Sequence, residues 1–287
     1  MTGSLEAPRP VPTREELREH LVAAMIAGEV ATPRQNNLLH YRRMALGYPY
    51  YQFGLRFKRR WTERDVLATM AELCGVIPDP RHLYGDDTID PDKTIDALEV
   101  MAERIGQAAR RRERVLLATG HPEILTPIYV AVGRALRERG CTVLTPAEGW
   151  SYVPEVGAPP ELRRIRYVEG MVAVLEGDDD RLHHTHDSAP MEAMLAELAA
   201  NSTASDGPSA AKREFWPDLA IADHGWAGAA GQAGIDTVGF ADCNDPALFA
   251  GQVEGKILIT VPLDDGVRPD RYEPLTAYLM SRAGLIV

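Results

Sequence analysis

The sequence predicts an α/β fold, a doubly wound and mostly parallel sheet of Rossmann-like kind with a helical section ahead of it. Three observations carry that expectation. From Pro217 to Leu248 the chain reads strand, polar turn, helix, strand, polar turn, helix, the order of a parallel sheet with crossover helices. Val115 to Leu144 repeats the strand–helix–strand order on its own. Ahead of both, about 80 residues show helical periodicity and no strong strand. The chain therefore divides into a helical N-terminal section, residues 1–85, and an α/β domain, residues 86–287, that carries the candidate site.

At 287 residues, 45% of them hydrophobic and 25% charged, the chain can bury a sizeable core. Its net charge of −11 argues against a general nucleic-acid or membrane partner. The acidic excess is C-terminal, because residues 1–114 hold 18 Lys and Arg against 17 Asp and Glu. Cys74, Cys141 and Cys243 form no Cys-x-x-Cys pair and suggest a reducing compartment. Met1 to Pro12 lacks the apolar core of a signal peptide, and no apolar run approaches the ~18 residues of a membrane span. A cytoplasmic protein is expected, with association into a homo-oligomer left open.

In chain order, residues 1–12 are rich in proline and small residues and are expected to be disordered. Thr13 and Glu16 form a capping box, and Leu17, Leu21, Ala24 and Met25 predict a helix to about Gly28. Thr32-Pro33 opens a second helix through about Leu46, and Thr62 caps a third that ends near Gly75. Asp90-Pro91-Asp92-Lys93-Thr94 has the Asp-x-Asp-x-Thr form of aspartate-nucleophile phosphatases. No buried strand precedes it, so Asp90 is read as the N-cap of a long helix with Pro91 at its first position. Val115–Ala118 is a buried strand ending at Thr119-Gly120-His121-Pro122, followed by a helix over about 126–139 and a strand over 141–144. The turn after the first of these strands has no glycine-rich dinucleotide fingerprint. Pro146–Pro160 reads as a loop, and residues 165–175 as a hairpin about Glu169-Gly170. A helix carrying Met191, Met194, Leu195 and Leu198 leads into a linker over Asn201–Lys212. The chain then runs through strands ending at Ala222, Ala241 and Val261, each with a polar turn behind it, to a last helix over about 272–282.

Between Arg34 and Arg64, eight Lys and Arg stand against one acid, with aromatic residues interleaved. Such a run is either a solvated helix face over packed aromatics or an anion-recognition surface, in which Arg59 and Arg60 would grip phosphate oxygens.

Histidine or aspartate follows four predicted strands: His121; His183, His184 and His186; Asp223 and His224; and Asp242 and Asp245. In a parallel sheet these groups converge on the carboxyl edge, where such folds bind ligands. Imidazole with carboxylate suits Zn, Mn, Fe or Ni, and aspartate alone suits Mg. His184, His186, Asp223 and Asp242 are the candidate ligands of a divalent metal. Against this, His121 could be a turn residue, Asp223, Asp242 and Asp245 could be N-caps, and His183 and Asp264-Asp265 are expected to face solvent.

Thr119-Gly120-His121-Pro122, His184-Thr185-His186, Ala222-Asp223-His224-Gly225 and Ala241-Asp242-Cys243-Asn244-Asp245-Pro246 resemble, in order and spacing, the motifs of an actinobacterial family known simply as phosphatase. The resemblance covers about residues 90–285 and implies metal-assisted phosphomonoester hydrolysis without naming a substrate; the expectation is a cytoplasmic, metal-dependent phosphatase acting on a small phosphorylated metabolite. On that reading His121 or His224 protonates the leaving alkoxide, and Asp242 serves catalysis as well as the metal. Asn244, Asp245, Arg59 and Arg60 then bind the substrate phosphate. A metal- or phosphosugar-dependent isomerase or lyase, and a non-catalytic module that binds a phosphometabolite, are the alternatives.

Overall fold

The computed structural model describes residues 11–155, 160–203 and 215–286. The disorder expected for the first residues and most of the linker expected over Asn201–Lys212 lie outside the described residues, although Asn201–Thr203 end a helix.

The N-terminal section is not purely helical. Helix α1 (Arg14–Ala23) starts at the Thr13–Glu16 capping box and stops before Gly28, whose φ of +86° turns the chain into strand β1 (Gly28–Pro33). Helices α2 (Arg34–Ala45) and α3 (Glu63–Leu73) follow, the latter from a second capping box of Thr62 with Asp65. Strand β2 (Asp86–Ile89) then pairs antiparallel with β1, and α4 (Pro91–Arg111) begins at Asp90, whose carboxylate accepts from the Asp92 and Lys93 N–H groups. The sequence hides β2 because its anchor is a charge. Asp87 is fully buried and meets the equally buried Arg34 guanidinium at 2.7 Å, with Asn37 Nδ2 at 2.9 Å and the Ile77 N–H at 3.0 Å. A buried carboxylate persists only when donors surround it in this way.

Among the described residues the main sheet has eight strands. Its centre is β3 (Arg114–Ala118), and α5 (Pro122–Glu138) leads from it to β4 (Thr142–Val143), which pairs parallel with the first half of β3. Helix α5 begins directly after His121, four residues earlier than expected, because Pro122 suits the first helical position, where no N–H is needed. The expected loop beyond β4 contains a short strand, β5 (Ser151–Tyr152), antiparallel to β6 (Arg163–Val168), which forms the expected hairpin with β7 (Val172–Gly177). After α6 (Ala189–Thr203) come β8 (Leu219–Ala222), α7 (His224–Gln232), β9 (Asp236–Ala241), α8 (Pro246–Val253), β10 (Ile259–Pro262) and α9 (Glu273–Arg282). The order across the sheet is β10-β9-β8-β3-β7-β6-β5, parallel from β10 to β7. The chain fills one side of β3 and then crosses to the other, so the strand order reverses between β3 and β8. Ligands of such sheets bind in the crevice at that reversal.

One hydrophobic core runs from Leu17 in α1 to Leu285 after α9, so residues on both sides of position 85 share it. Among the described residues, no helix is long and apolar enough to cross a membrane.

Candidate active site

Five segments meet at the carboxyl edge of the parallel strands. Four directly follow strands: Thr119–His121 after β3, Asp223-His224 after β8, Asp242–Asp245 after β9 and Leu263–Asp265 after β10. The fifth arrives indirectly. The register of β7 on β3 carries β7 four residues past Ala118, and the chain then folds back through the bridge of Glu176 with Leu182. Thr185 N–H donates to the Gly120 carbonyl at 2.9 Å, which lays His184 and His186 across the end of β3. This close pass requires a glycine, because a Cβ on Gly120 would stand 2.4 Å from the Thr185 oxygen.

His224 is the centre of the site. Its φ is +47°, a left-handed conformation that costs a non-glycine residue on the order of 1 kcal/mol. The cost is met by what surrounds the ring, which is 2% exposed. Nδ1 lies 2.8 Å from Asp223 Oδ1, and Nε2 lies 3.2 Å from Asp245 Oδ2 and 3.5 Å from Asp265 Oδ2. The rings of His121, His184 and His186 stand with centroids 5.4, 5.1 and 4.8 Å from it. Gly225 follows because a Cβ there would meet the His186 carbonyl oxygen at 2.4 Å.

Asp223 is saturated with donors. Oδ1 accepts from the Gly120 N–H at 2.6 Å and from His224 Nδ1, and Oδ2 accepts from the Tyr129 hydroxyl at 2.8 Å. Burial opposes its charge most strongly of any one influence, but the hydrogen bond and charge of His224 with the Thr119 and Tyr129 hydroxyls together outweigh it and hold the carboxyl below its ordinary range. Burial likewise opposes charge on His224, yet Asp245 and then Asp223 raise that imidazole well above its usual value. The other three rings move the opposite way. Desolvation, with the His224 charge beside them, lowers His121 to about 4 and His184, whose side chain keeps an exposed face, to about 3, and His186 also falls well below its ordinary value. They are neutral imidazoles at neutral pH, the form that binds metals. Burial pushes Asp265 well above the carboxylate range, with Asp242 and Asp245 adding to the rise against the pull of His224.

Among the described residues, two groups of side chains could hold a metal ion: His121, His184 and His224, and His186, His224 and Asp245, with the ligand atoms of each group within 4.8 Å of one another. Three buried atoms at this place, His186 Nδ1, Asp245 Oδ1 and Asp265 Oδ2, have no hydrogen-bond partner among the described residues. Leaving such atoms unsatisfied costs ~1–3 kcal/mol each. All three are of ligand type, and a cation among them would satisfy them together while offsetting the buried acids. The residues present therefore fit a divalent ion.

Several expected roles change with the geometry. Asp223 is read from sequence as a metal ligand, but its oxygens are already engaged, and its place is behind His224, fixing the ring. Asp242 joins neither group: Oδ1 accepts from the Cys243 N–H at 2.6 Å, and Oδ2 accepts from the Thr32 hydroxyl and from Asn244 Nδ2, each at 2.8 Å. Asn244 is thereby tied into the loop rather than offered to a substrate, and its carbonyl lies 2.9 Å from His40 Nδ1. Asp245 sits at the N-cap of α8 but makes no side-chain cap bond, because it turns to His224. Arg59 and Arg60 are not brought to the site at all. α8 starts at the cluster and ends about 12 Å away at Glu254, which accepts from the Lys58 and Arg59 N–H groups and from the Trp61 indole. There the exposed Arg59 guanidinium lies over the Trp61 ring at 3.7 Å. His183 is half-buried with Nε2 4.0 Å from Asp179, outside the cluster.

The sequence reading missed Asp265, expected at the surface but 7% exposed and 3.6 Å from His121 Nε2. The signal was present, since Asp264-Asp265 follow a strand as the other acids do. It missed Tyr50 and Phe53 for a different reason. They belong to the helical section, yet Tyr50 stacks on His186 at 4.8 Å and Phe53 lies 5.0 Å from His186 and 5.5 Å from His224. Beside them opens a cavity of about 680 Å³, lined by Tyr50, Arg56, Trp150, Tyr152, His186 and Asp187.

These observations agree with what the chain is similar to. It is 49% identical over 278 residues, 96% of this chain and 97% of the other, to Phosphatase SCO2771 of Streptomyces coelicolor. A family model described as Phosphatase matches residues 12–287, so the match takes in the helical section as well as the sheet, and the chain belongs to the Phosphatase family.

Proposed function

We propose that the protein hydrolyses a small phosphomonoester with the help of a divalent cation held by the histidine–aspartate cluster. The observation that carries this reading is the trio of buried, unsatisfied ligand atoms, His186 Nδ1, Asp245 Oδ1 and Asp265 Oδ2, beside imidazoles that burial keeps neutral. Membership of the Phosphatase family supports the reaction class. When bound, a divalent ion such as Mg, Mn, Zn or Fe supplies Lewis-acid polarisation of the phosphoryl group, a more acidic water and compensation of charge on the leaving oxygen. The protein's own residues do the rest. Asp223 holds the proton on His224 Nδ1, the arrangement in which a carboxylate orients a ligating histidine. The flanking acids favour a proton on Nε2 as well, and that proton must be displaced before the Nε2 lone pair can take a cation. None of the imidazoles then has to act as the proton donor, which replaces the role expected for His121 or His224.

The cavity beside His186 takes the organic part of the ester, and its volume of about 680 Å³ suits a metabolite-sized group. Arg56, at its wall, replaces Arg59 and Arg60 as the cation that meets the substrate. The test is phosphate release from a panel of phosphomonoesters by chelator-treated protein, before and after Mg, Mn, Zn or Fe is restored. Release that returns with the metal is expected. Tight binding of an ester without release under any metal would make the protein a binding module, and release that ignores the chelator would remove the metal.

A further inference from the structure

We infer that the cluster is built for two metal ions, with the Asp265 carboxylate shared between them. This rests on the metal-dependent reading above and goes beyond it in number, ligand sets and bridge. The two ligand groups have one member in common, His224. Because Nδ1 of that ring is held by Asp223 Oδ1 at 2.8 Å, only Nε2 faces the cluster, and one lone pair serves one ion. If both groups are to hold an ion, one of them needs another donor in its place.

The geometry says which. Nε2 of His224 lies 3.2 Å from Asp245 Oδ2, so His224 stays with Asp245 and His186. His121 and His184, with ring centroids 4.3 Å apart, are left as a pair. Asp265 stands between the two sides with one oxygen toward each. Oδ1 is 3.6 Å from His121 Nε2, and Oδ2 is 3.5 Å from His224 Nε2. Oδ2 is buried without a hydrogen-bond partner among the described residues, its nearest charged neighbour being the His224 Nε2 that a bound cation would itself engage. The first ion would thus be held by His121 and His184 and the second by His186, His224 and Asp245, with Asp265, which belongs to neither group as the side chains stand, closing one oxygen onto each. A carboxylate spanning two ions suits the separation of ~3.5–4 Å at which paired metals clamp a displaced phosphoryl group.

The test counts ions on the full-length chain, stripped by chelator and reloaded with Mn(II), by elemental analysis after desalting and by calorimetric titration. Two ions per chain are expected for the wild type and one for either His184→Gln or His186→Gln. Electron paramagnetic resonance of the doubly loaded protein should show exchange-coupled manganese that Asp265→Asn uncouples. One ion per chain in the wild type, lost in either histidine variant, would overturn the inference and leave the metal-dependent phosphatase standing. No ion at all, with phosphate still released, would remove both. The wild-type count needs no variant, so misfolding of a substituted chain cannot obscure it.

Discussion

Asp245 occupies the N-cap of α8 and gives that helix no side-chain hydrogen bond, because its carboxylate faces His224 Nε2 at 3.2 Å. The same diversion recurs at the starts of α5 and α7, where His121 and Asp223 hold the N-cap and leave it unmade. Away from the site, Thr13, Thr62 and Asp90 make their caps in α1, α3 and α4. A cap is worth ~1 kcal/mol. Three helices therefore begin at the cluster without this stabilisation, and the side chains that could have supplied it line the site or support it.

Asp223 separates orientation from charge. Asp223→Asn retains an oxygen for the Gly120 N–H and for His224 Nδ1, while the Tyr129 hydroxyl can turn to accept from the new amide. The fold should persist and affinity for Mn or Zn should fall by about 10–100-fold, as when an orienting carboxylate behind a ligand is altered. Asp223→Ala removes the acceptor from three buried donors, at ~1–3 kcal/mol each, and should lower the thermal midpoint far more. Metal titration beside thermal unfolding checks both, and unaltered affinity in Asp223→Asn would show that the carboxylate does not tune the ring.

Gly225 makes a steric prediction. A methyl group there would stand 2.3 Å from the Asp187 carbonyl oxygen and 2.4 Å from that of His186, both backbone atoms that cannot swing aside. Gly225→Ala should cost ~1–3 kcal/mol and push His186 off the cluster, weakening metal uptake as well as stability. A variant with lowered stability and full metal affinity would mean that the strip moves without carrying His186 away.

The basic run divides by position. Arg56 lines the cavity, whereas Arg59 and Arg60 are exposed near the far end of α8. Arg56→Ala should raise KM for a phosphorylated substrate with an effect that shrinks as salt is added. Arg59→Ala and Arg60→Ala should leave KM unchanged, Arg59→Ala losing only ~0.5–1 kcal/mol of stacking on Trp61. Steady-state kinetics at low and high salt decides the matter, and a raised KM in Arg60→Ala would return that residue to the site.

The sheet and its active edge were legible because strand, turn and helix alternate with little ambiguity from Val115 onward, and His121, His184, His186, His224 and Asp245 follow from that order. What failed depended on contacts between distant segments. β2 is anchored by Arg34 and Asp87, 53 positions apart, in a stretch that reads as polar loop. The metal role expected of Asp242 meets a competing contact, because Thr32, 210 positions earlier, donates to its oxygen. The link from the helical section to the site runs through such pairings, including the Tyr41 hydroxyl donating to the Cys243 carbonyl at 2.6 Å. No periodicity shows them.

Asp242 therefore yields the sharpest contrast between ligand and loop fastener. Burial, then the charges of Asp264 and Asp245, raise its carboxyl from an ordinary 3.8 to about 7. Between those values the unfolded chain has lost the proton and the folded chain still holds it. The favourable contribution of this group is complete below pH 3.8, declines as pH rises toward 7, and is gone above it. Asp242→Asn cannot ionise, and its neighbours can adapt, since the Thr32 hydroxyl can turn to accept and the Asn244 amide can present its oxygen. In chelator-treated protein the variant should be close to wild type at about pH 4 and below and gain on it up to about pH 8, by about 1.4 kcal/mol for each unit by which the site raises the carboxyl. Its metal count and phosphate release should stay near those of the wild type, because Asp242 lies outside both ligand sets. A midpoint difference that ignores pH would remove the buried-acid account, and loss of metal at an unchanged midpoint would make Asp242 a ligand after all.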